Sequence, residues 1–354
     1  MNNKNAHDRK RAAKIFKTHW YHVVPGILMC LALAIPANFL GRMFPVVGGP
    51  VIAIIGGILI SFAFPKLANL RYDDKLLFEH GIKYTSKKLL QYSIVLLGFQ
   101  LNFYNVISVG GQALLLILFA MAIAFLTAFS VSKLLKLPGA AGTLIGVGTA
   151  ICGGSAIAAA APAIRAKDEY VSQAVSTIFL FNIIGVLIFP AIGMIFQMSH
   201  DSFGTWAGVA INDTSSVVAA GTAWSIASGT DEALQIATIT KLTRALMIIP
   251  VTFTLAVYTS RRHGDSEGSF NLAKSFPWFV LFFATAAIIN TFARIPLQWS
   301  VGLTSVGRFV IIMAMAAIGL GTNLKQLFFY GFKPILLGAF CWILLAALSL
   351  VVIL

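Results

Sequence analysis

Apolar runs separated by short charged breaks divide the chain into spans near residues 22–40, 45–64, 84–101, 109–131, 170–198, 235–260, 275–293, 302–322 and 332–354. A helix needs about 20 apolar residues to cross a bilayer core of about 30 Å, so the pattern predicts a multi-pass helical membrane protein. Two stretches interrupt it: GVGTAICGGSAIAAA (Gly146 to Ala160) and GVAINDTSSVVAAG (Gly208 to Gly221). Both place glycines and hydroxyl, amide or carboxylate groups inside apolar surroundings. Lipid offers a broken helix no hydrogen-bond partner, so such backbone must be shielded by protein or line a polar cavity. Paired breaks are the sequence pointer to a transporter's binding site.

The segments 138–164 and 203–230 carry these breaks, and each either crosses the membrane as an interrupted helix or dips in and returns. Two extra crossings leave every later span with the same orientation, so parity allows both, and the prediction is an all-α fold with about 9–11 transmembrane segments. Ser93 to Leu116 resembles Met315 to Leu337, aligning Gly98 with Gly319, Asn102 with Asn323 and Gly110 with Gly331. The two stretches run in opposite directions in this topology, as in an inverted repeat. The glycine and polar segments also pair, Ser155 against Ser216, and in the re-entrant version they enter from opposite sides.

Composition agrees with the membrane reading. The chain is 58% hydrophobic and 11% charged, and its mean hydropathy is +0.86, which leaves too little polar surface for a soluble fold. The formal net charge of +14 does not point to nucleic acid. Lys4, Arg9, Lys10, Arg11, Lys14 and Lys17 crowd the N-terminus and most other basic residues sit in breaks, which is the positive-inside pattern. Residues 1–20 therefore read as a basic cytoplasmic tail and 21–354 as one transmembrane domain. A lipid bilayer is the first partner; a homodimer is permitted but not specified. Cys30, Cys152 and Cys341 are too scattered for a disulfide framework or a zinc site.

Eleven of the twelve acidic residues fall in or beside connections, and Asp213 is the exception. A carboxylate inside an apolar region is usually paired, protonated or facing water, and so marks function. Asn212, Asp213, Thr214, Ser215 and Ser216 are equally good caps for the half-helix that follows. Lys241 and Arg244 lie three residues apart on one helix face. Either they snorkel to a surface, or they turn inward toward Asp213 and leave a net positive site that suits an anion. Gly148, Gly153 and Gly154 relax the backbone, while Thr149 and Ser155 offer hydroxyls. With free N–H groups at a half-helix start, they form a site for a tetrahedral oxyanion that needs no metal or other cofactor. Cys152 reads as a small packing residue or as a thiol in contact with the ligand.

GTAICGGSAIAAAAP (Gly148 to Pro162), AGVAINDTSSVVAAG (Ala207 to Gly221), KLTRALMIIP (Lys241 to Pro250) and AIGLGTNL (Ala317 to Leu324) resemble the YeiH-type sulfate exporter family. That resemblance covers nearly the whole chain after the basic tail. It implies a bacterial inner-membrane protein distantly similar to cation/proton antiporters and anion transporters. The expected function is alternating access for a small anion such as sulfate or a sulfonate. Lys241 and Arg244 would neutralise it, the 148–155 break and residues 212–216 would bind it, and Asp213 would carry a coupling proton or sodium ion. Substitution of Lys241 or Arg244 is expected to weaken anion binding more than substitution of Lys325, which lies in a connection. The alternatives are cation/proton exchange at Asp213 and an intramembrane enzyme with Lys241 as base to Ser155 or Ser216.

Overall fold

A computed structural model describes residues 2–44, 48–64, 71–72, 75–263, 278–293, 295–322 and 332–354. The helices in chain order are α1 (Asn2–Met43), α2 (Gly49–Ala63), α3 (Glu79–Tyr84), α4 (Leu90–Gly98), α5 (Phe103–Leu134), α6 (Gly139–Ala150), α7 (Gly154–Ala163), α8 (Asp168–Ile195) and α9 (His200–Ala210). They continue with α10 (Thr214–Ser228), α11 (Glu232–Ala245), α12 (Ile248–His263), α13 (Trp278–Phe292), α14 (Leu297–Leu320) and α15 (Phe332–Ile353). A π-helical stretch, Thr85–Leu89, joins α3 to α4. Arg71–Tyr72 and Lys75–Leu76 form a two-residue antiparallel pair, and the fold is otherwise all-α among the described residues.

Among the described residues six helical segments are long and apolar enough to cross a membrane: Val23–Met43, α5, α8, Glu232–Thr259, Gln298–Leu320 and α15. The shorter α2 and α13 and the α3–α4 column fall on the other three of the nine apolar runs of the sequence, and taken as passes with these six they alternate in direction among the described residues. Large apolar side chains such as Phe39, Phe62, Leu115, Phe129, Ile195 and Val351 face outward, as lipid-facing groups do.

Neighbouring ends fix the two faces. On the face opposite the N-terminal one, the Phe103 N–H at the start of α5 donates to Thr291 Oγ1 at the end of α13, 2.9 Å away. Gln100 Nε2 donates to Asp231 Oδ2 beside the start of α11 at 3.4 Å, and Arg308 of α14 pairs with the same carboxylate. This cluster ties α14, the α4–α5 junction and α11 together. Gln100, Asp231, Gln235 and Thr238 line a cleft there.

The interrupted segments both return to the face they leave. Phe203 of α9 stacks on Trp224 of α10 at 4.0 Å, and Trp224 Nε1 donates to His200 Nδ1 at 3.0 Å, so the start of α9 lies beside the end of α10. Gly193, at the end of α8, touches the same two rings, which puts that base on the Asp231 face. Since α5 starts and α8 ends on that face, α5 ends and α8 starts on the other. The α6–α7 segment between them thus begins and ends on the N-terminal face. Gly148 of α6 faces Ile157 of α7, as the two arms of a hairpin should. The re-entrant version is therefore the one adopted, with hairpins entering from opposite sides, and the crossing version is set aside.

The three larger apolar clusters among the described residues hold this arrangement. One unites α2, α4, α13 and α14 through Ile54, Ile94, Phe283 and Ile312. It is drawn close by glycines: a Cβ on Gly319 would lie 2.3 Å from Ile54 O, so α2 and α14 touch backbone to backbone. The second packs α5, α6, α7 and α15 around Ile117, Leu144, Ile157 and Leu337. The third joins α8, α9, α10 and α15, where Phe189 stacks on Trp206 at 4.1 Å. Each hairpin is thus embedded in its own apolar cluster, with its tip at the junction. Of the paired stretches 93–116 and 315–337, α4 and α14 run in opposite directions as expected; Asn323 and Gly331 lie outside the described residues.

Candidate functional site

The two tips meet. A Cβ built on Gly153 would lie 3.3 Å from Asp213 Cβ and 3.5 Å from Asp213 Cα. Gly153 has φ +67° and ψ −130°, a conformation that L side chains rarely adopt, and this lets the chain reverse from α6 into α7. Asp213 is extended, at φ −102° and ψ 143°, and caps α10. Its Oδ2 accepts the Ser215 N–H at 3.0 Å and also the Ser215 hydroxyl.

Four half-helix ends converge here, and their backbone groups can be followed one by one. The last carbonyls of a helix have no intrahelical donor. In the α6 tip, Val147 O accepts the Ile151 N–H at 3.1 Å and Gly148 O the Gly153 N–H at 2.9 Å. Thr149 O and Ala150 O accept from the Arg244 guanidinium, the latter at 2.6 Å from Nε. Ile151 O accepts from Lys241 Nζ at 2.9 Å. The α9 tip is served by the same two side chains, Val209 O by Arg244 and Ile211 O by Lys241 at 2.7 Å. Two cations from α11 therefore complete the C-terminal ends of both inward half-helices, where the macrodipole is negative.

Both cations are 0% exposed, which excludes snorkelling. In this conformation their charged ends, expected to meet a bound anion, are turned onto backbone carbonyls. The accessible side of the junction is the pair of helix N-termini. Ser155 is exposed, and Gly154 and Asp213 are half-buried. In α7 the first backbone bond runs from the Ile157 N–H to Gly153 O, and Gly153 supplies no side-chain cap. The N–H groups of residues 154–156 are thus left to other acceptors. The Ser155 hydroxyl donates to Cys152 O and lies 3.0 Å from Cys152 Sγ, so it pairs with its own turn rather than with Lys241.

Thr214, Ser215 and Ser216 are buried in the first turn of α10. Thr149 and Asn212 are fully buried at the two tips, and the Thr149 hydroxyl and both Asn212 amide atoms have no hydrogen-bond partner among the described residues. A buried polar group without a partner costs roughly 1–3 kcal/mol and calls for an explanation such as a water or an ion. Among the described residues no three of His, Cys, Asp and Glu gather into a metal-binding group.

One participant escaped the sequence reading. Asn182, 4% exposed in the middle of α8, accepts the Asp213 N–H at its Oδ1 over 3.2 Å and holds the reversal of the second hairpin. It is the sole amide deep in the charge-free run from Tyr170 to Ser199, between Gln173 and Gln197 near its ends, and that isolation was the available signal. Asn182→Leu leaves the Asp213 N–H unpaired, and the expected cost is about 1–3 kcal/mol. A lowered melting temperature of the detergent-purified protein checks this, and an unchanged one counts against it.

The family described as Conserved hypothetical protein 698 matches residues 25–338. The chain belongs to this family. A UPF0324 membrane protein of Streptococcus pyogenes serotype M18 is 46% identical over 332 residues, covering 92% of this chain and 95% of the relative. A UPF0324 membrane protein of Fusobacterium nucleatum is 44% identical over 340 residues, with 92% and 96% covered. Both hairpins and α11 lie inside the family match, so the whole junction belongs to the shared region. The chain is a multi-pass integral membrane protein.

Proposed function

We propose that the protein is a secondary transporter for a small anion such as sulfate or a sulfonate, working by alternating access around the tips of the two hairpins. The observation that carries this reading is the meeting of two half-helix N-termini at Gly153 and Asp213, backed by two buried cations. Each helix end counts as about half a charge. The two N-termini and two C-termini then cancel, and Lys241 and Arg244 against Asp213 leave about one positive charge. A sulfonate placed against the open N–H groups of α7 neutralises it, a sulfate dianion does so once Asp213 is protonated, and either receives hydrogen bonds that α7 itself does not use. The resemblance to YeiH-type exporters gives the sulfate direction. Basic residues in the connections on the N-terminal face, Arg165 and Lys167 between α7 and α8 among them, support a cytoplasmic N-terminus in a bacterial inner membrane.

Asp213 is the coupling residue in this scheme, since it is the half-buried carboxylate at the point where substrate would sit. Asparagine caps a helix about as well as aspartate but does not titrate. In proteoliposomes, Asp213→Asn is expected to bind sulfate within a few-fold of the unaltered protein while its sulfate flux stops responding to an imposed pH gradient. Flux of the variant with unchanged pH dependence would assign Asp213 to capping alone.

A further inference from the structure

We infer that Lys241 is a built-in monovalent cation, filling a cage of carbonyls where the two hairpins end and so making the carrier independent of sodium. This rests on the transporter reading above and narrows its coupling ion.

Where a transporter helix is broken, the exposed carbonyls and the negative half-helix ends are the groups that take up a coupling cation. This junction has such groups in full: Thr149, Ala150 and Ile151 from one hairpin, Val209 and Ile211 from the other. Ile151 O and Ile211 O converge on one atom, Lys241 Nζ, at 2.9 and 2.7 Å. The remaining three are taken by Arg244. A lysine ammonium is a compact point charge with three donors and no acceptor, so toward carbonyl oxygens it presents what a small monovalent cation presents.

A free ion and the ammonium need the same lone pairs, and the tethered one is always present. It sits on α11, which also contacts both arms of the second hairpin: Gly204 and Gly208 of α9 lie against Ile236 and Thr240, and Gly221 of α10 against Leu234. The positive charge that the carbonyl ends require therefore stays with the protein through a transport cycle. No sodium ion has to be loaded to assemble the junction, and Asp213 is left as the one acidic group there among the described residues.

The test is the melting temperature of detergent-purified protein in sodium chloride and in choline chloride at equal ionic strength. It compares the unaltered chain with Lys241→Ala, and adds n-propylammonium chloride, the piece that the substitution removes. The unaltered protein is expected to melt alike in sodium and choline. Lys241→Ala is expected to melt lower in choline and to regain several degrees in sodium or propylammonium, since a ligand that binds only the folded state stabilises it. A sodium-dependent rise in the unaltered protein overturns the inference. So does a variant that melts alike in all three salts. If Lys241→Ala yields no folded protein, the unaltered protein decides alone: no sodium effect supports the cage being filled, and a sodium effect refutes it. Melting requires no transport, so absence of flux for every anion tested would count against the transporter reading and leave this result standing.

Discussion

Arg244→Ala is expected to abolish the folded junction, with a loss of about 4 kcal/mol or more and little protein recovered in detergent. The guanidinium serves Thr149 O and Ala150 O in one hairpin and Val209 O in the other, so its removal strands three buried carbonyls at once. Each buried acceptor without a donor costs roughly 1–3 kcal/mol, and the truncated side chain, 0% exposed, leaves a cavity besides. Arg244→Lys should fall between the two, because one ammonium cannot reproduce the fork that spans two hairpins. Thermal melting of the two variants measures the order. Near-normal stability of Arg244→Ala would show that the guanidinium is not what joins the hairpins.

Gly153→Val is expected to have the next largest effect, because two independent penalties meet at one carbon. The backbone at φ +67° and ψ −130° costs roughly 1–3 kcal/mol for a residue with a Cβ, more for a β-branched one. That Cβ also lands 3.3 Å from Asp213 Cβ, a tight contact that asks Asp213 to give by a few tenths of an ångström. Both stability and sulfate binding should fall. For stability, Gly154→Ala is the control: a Cβ there meets nothing within 4 Å among the described residues, and the position is helical, where alanine is favoured over glycine. Equal losses of stability from the two substitutions would show that the strained turn is not what matters.

The breaks were legible in the sequence because glycine and capping residues are rare inside apolar runs, and the cap at Asp213 formed where Asn212 to Ser216 announced it. The nine passes were legible from apolar length alone. The fate of the hairpins was not, since orientation parity is the same for a re-entrant pair and a crossing pair; it took the proximity of His200 and Trp224 to decide. Nor was the task of Lys241 and Arg244 readable. Their charge is visible in the sequence, but the demand that they meet is made by backbone carbonyls, which every residue carries and which become orphans only where a helix stops. Arg308 illustrates the same limit. It lies within an apolar span, and its partner Asp231 belongs to a connection, so only the packing of α14 against the start of α11 brings them together. Lys325, the reference cation for the charge argument, lies outside the described residues.

The opposed hairpins also set an electrical position. An arm of 12 residues in α6 and one of 11 in α9 reach about 18 and 16 Å from their faces, roughly half of a 30 Å core each. A charge arriving at Asp213 from either face therefore falls through about half of the membrane voltage. Carrying one elementary charge across the full drop changes its energy by about 2.3 kcal/mol per 100 mV, so each half-journey is worth about 1 kcal/mol per 100 mV. In the transporter proposed above, the membrane potential would then divide evenly between loading and release, and neither step would bear the whole electrical load.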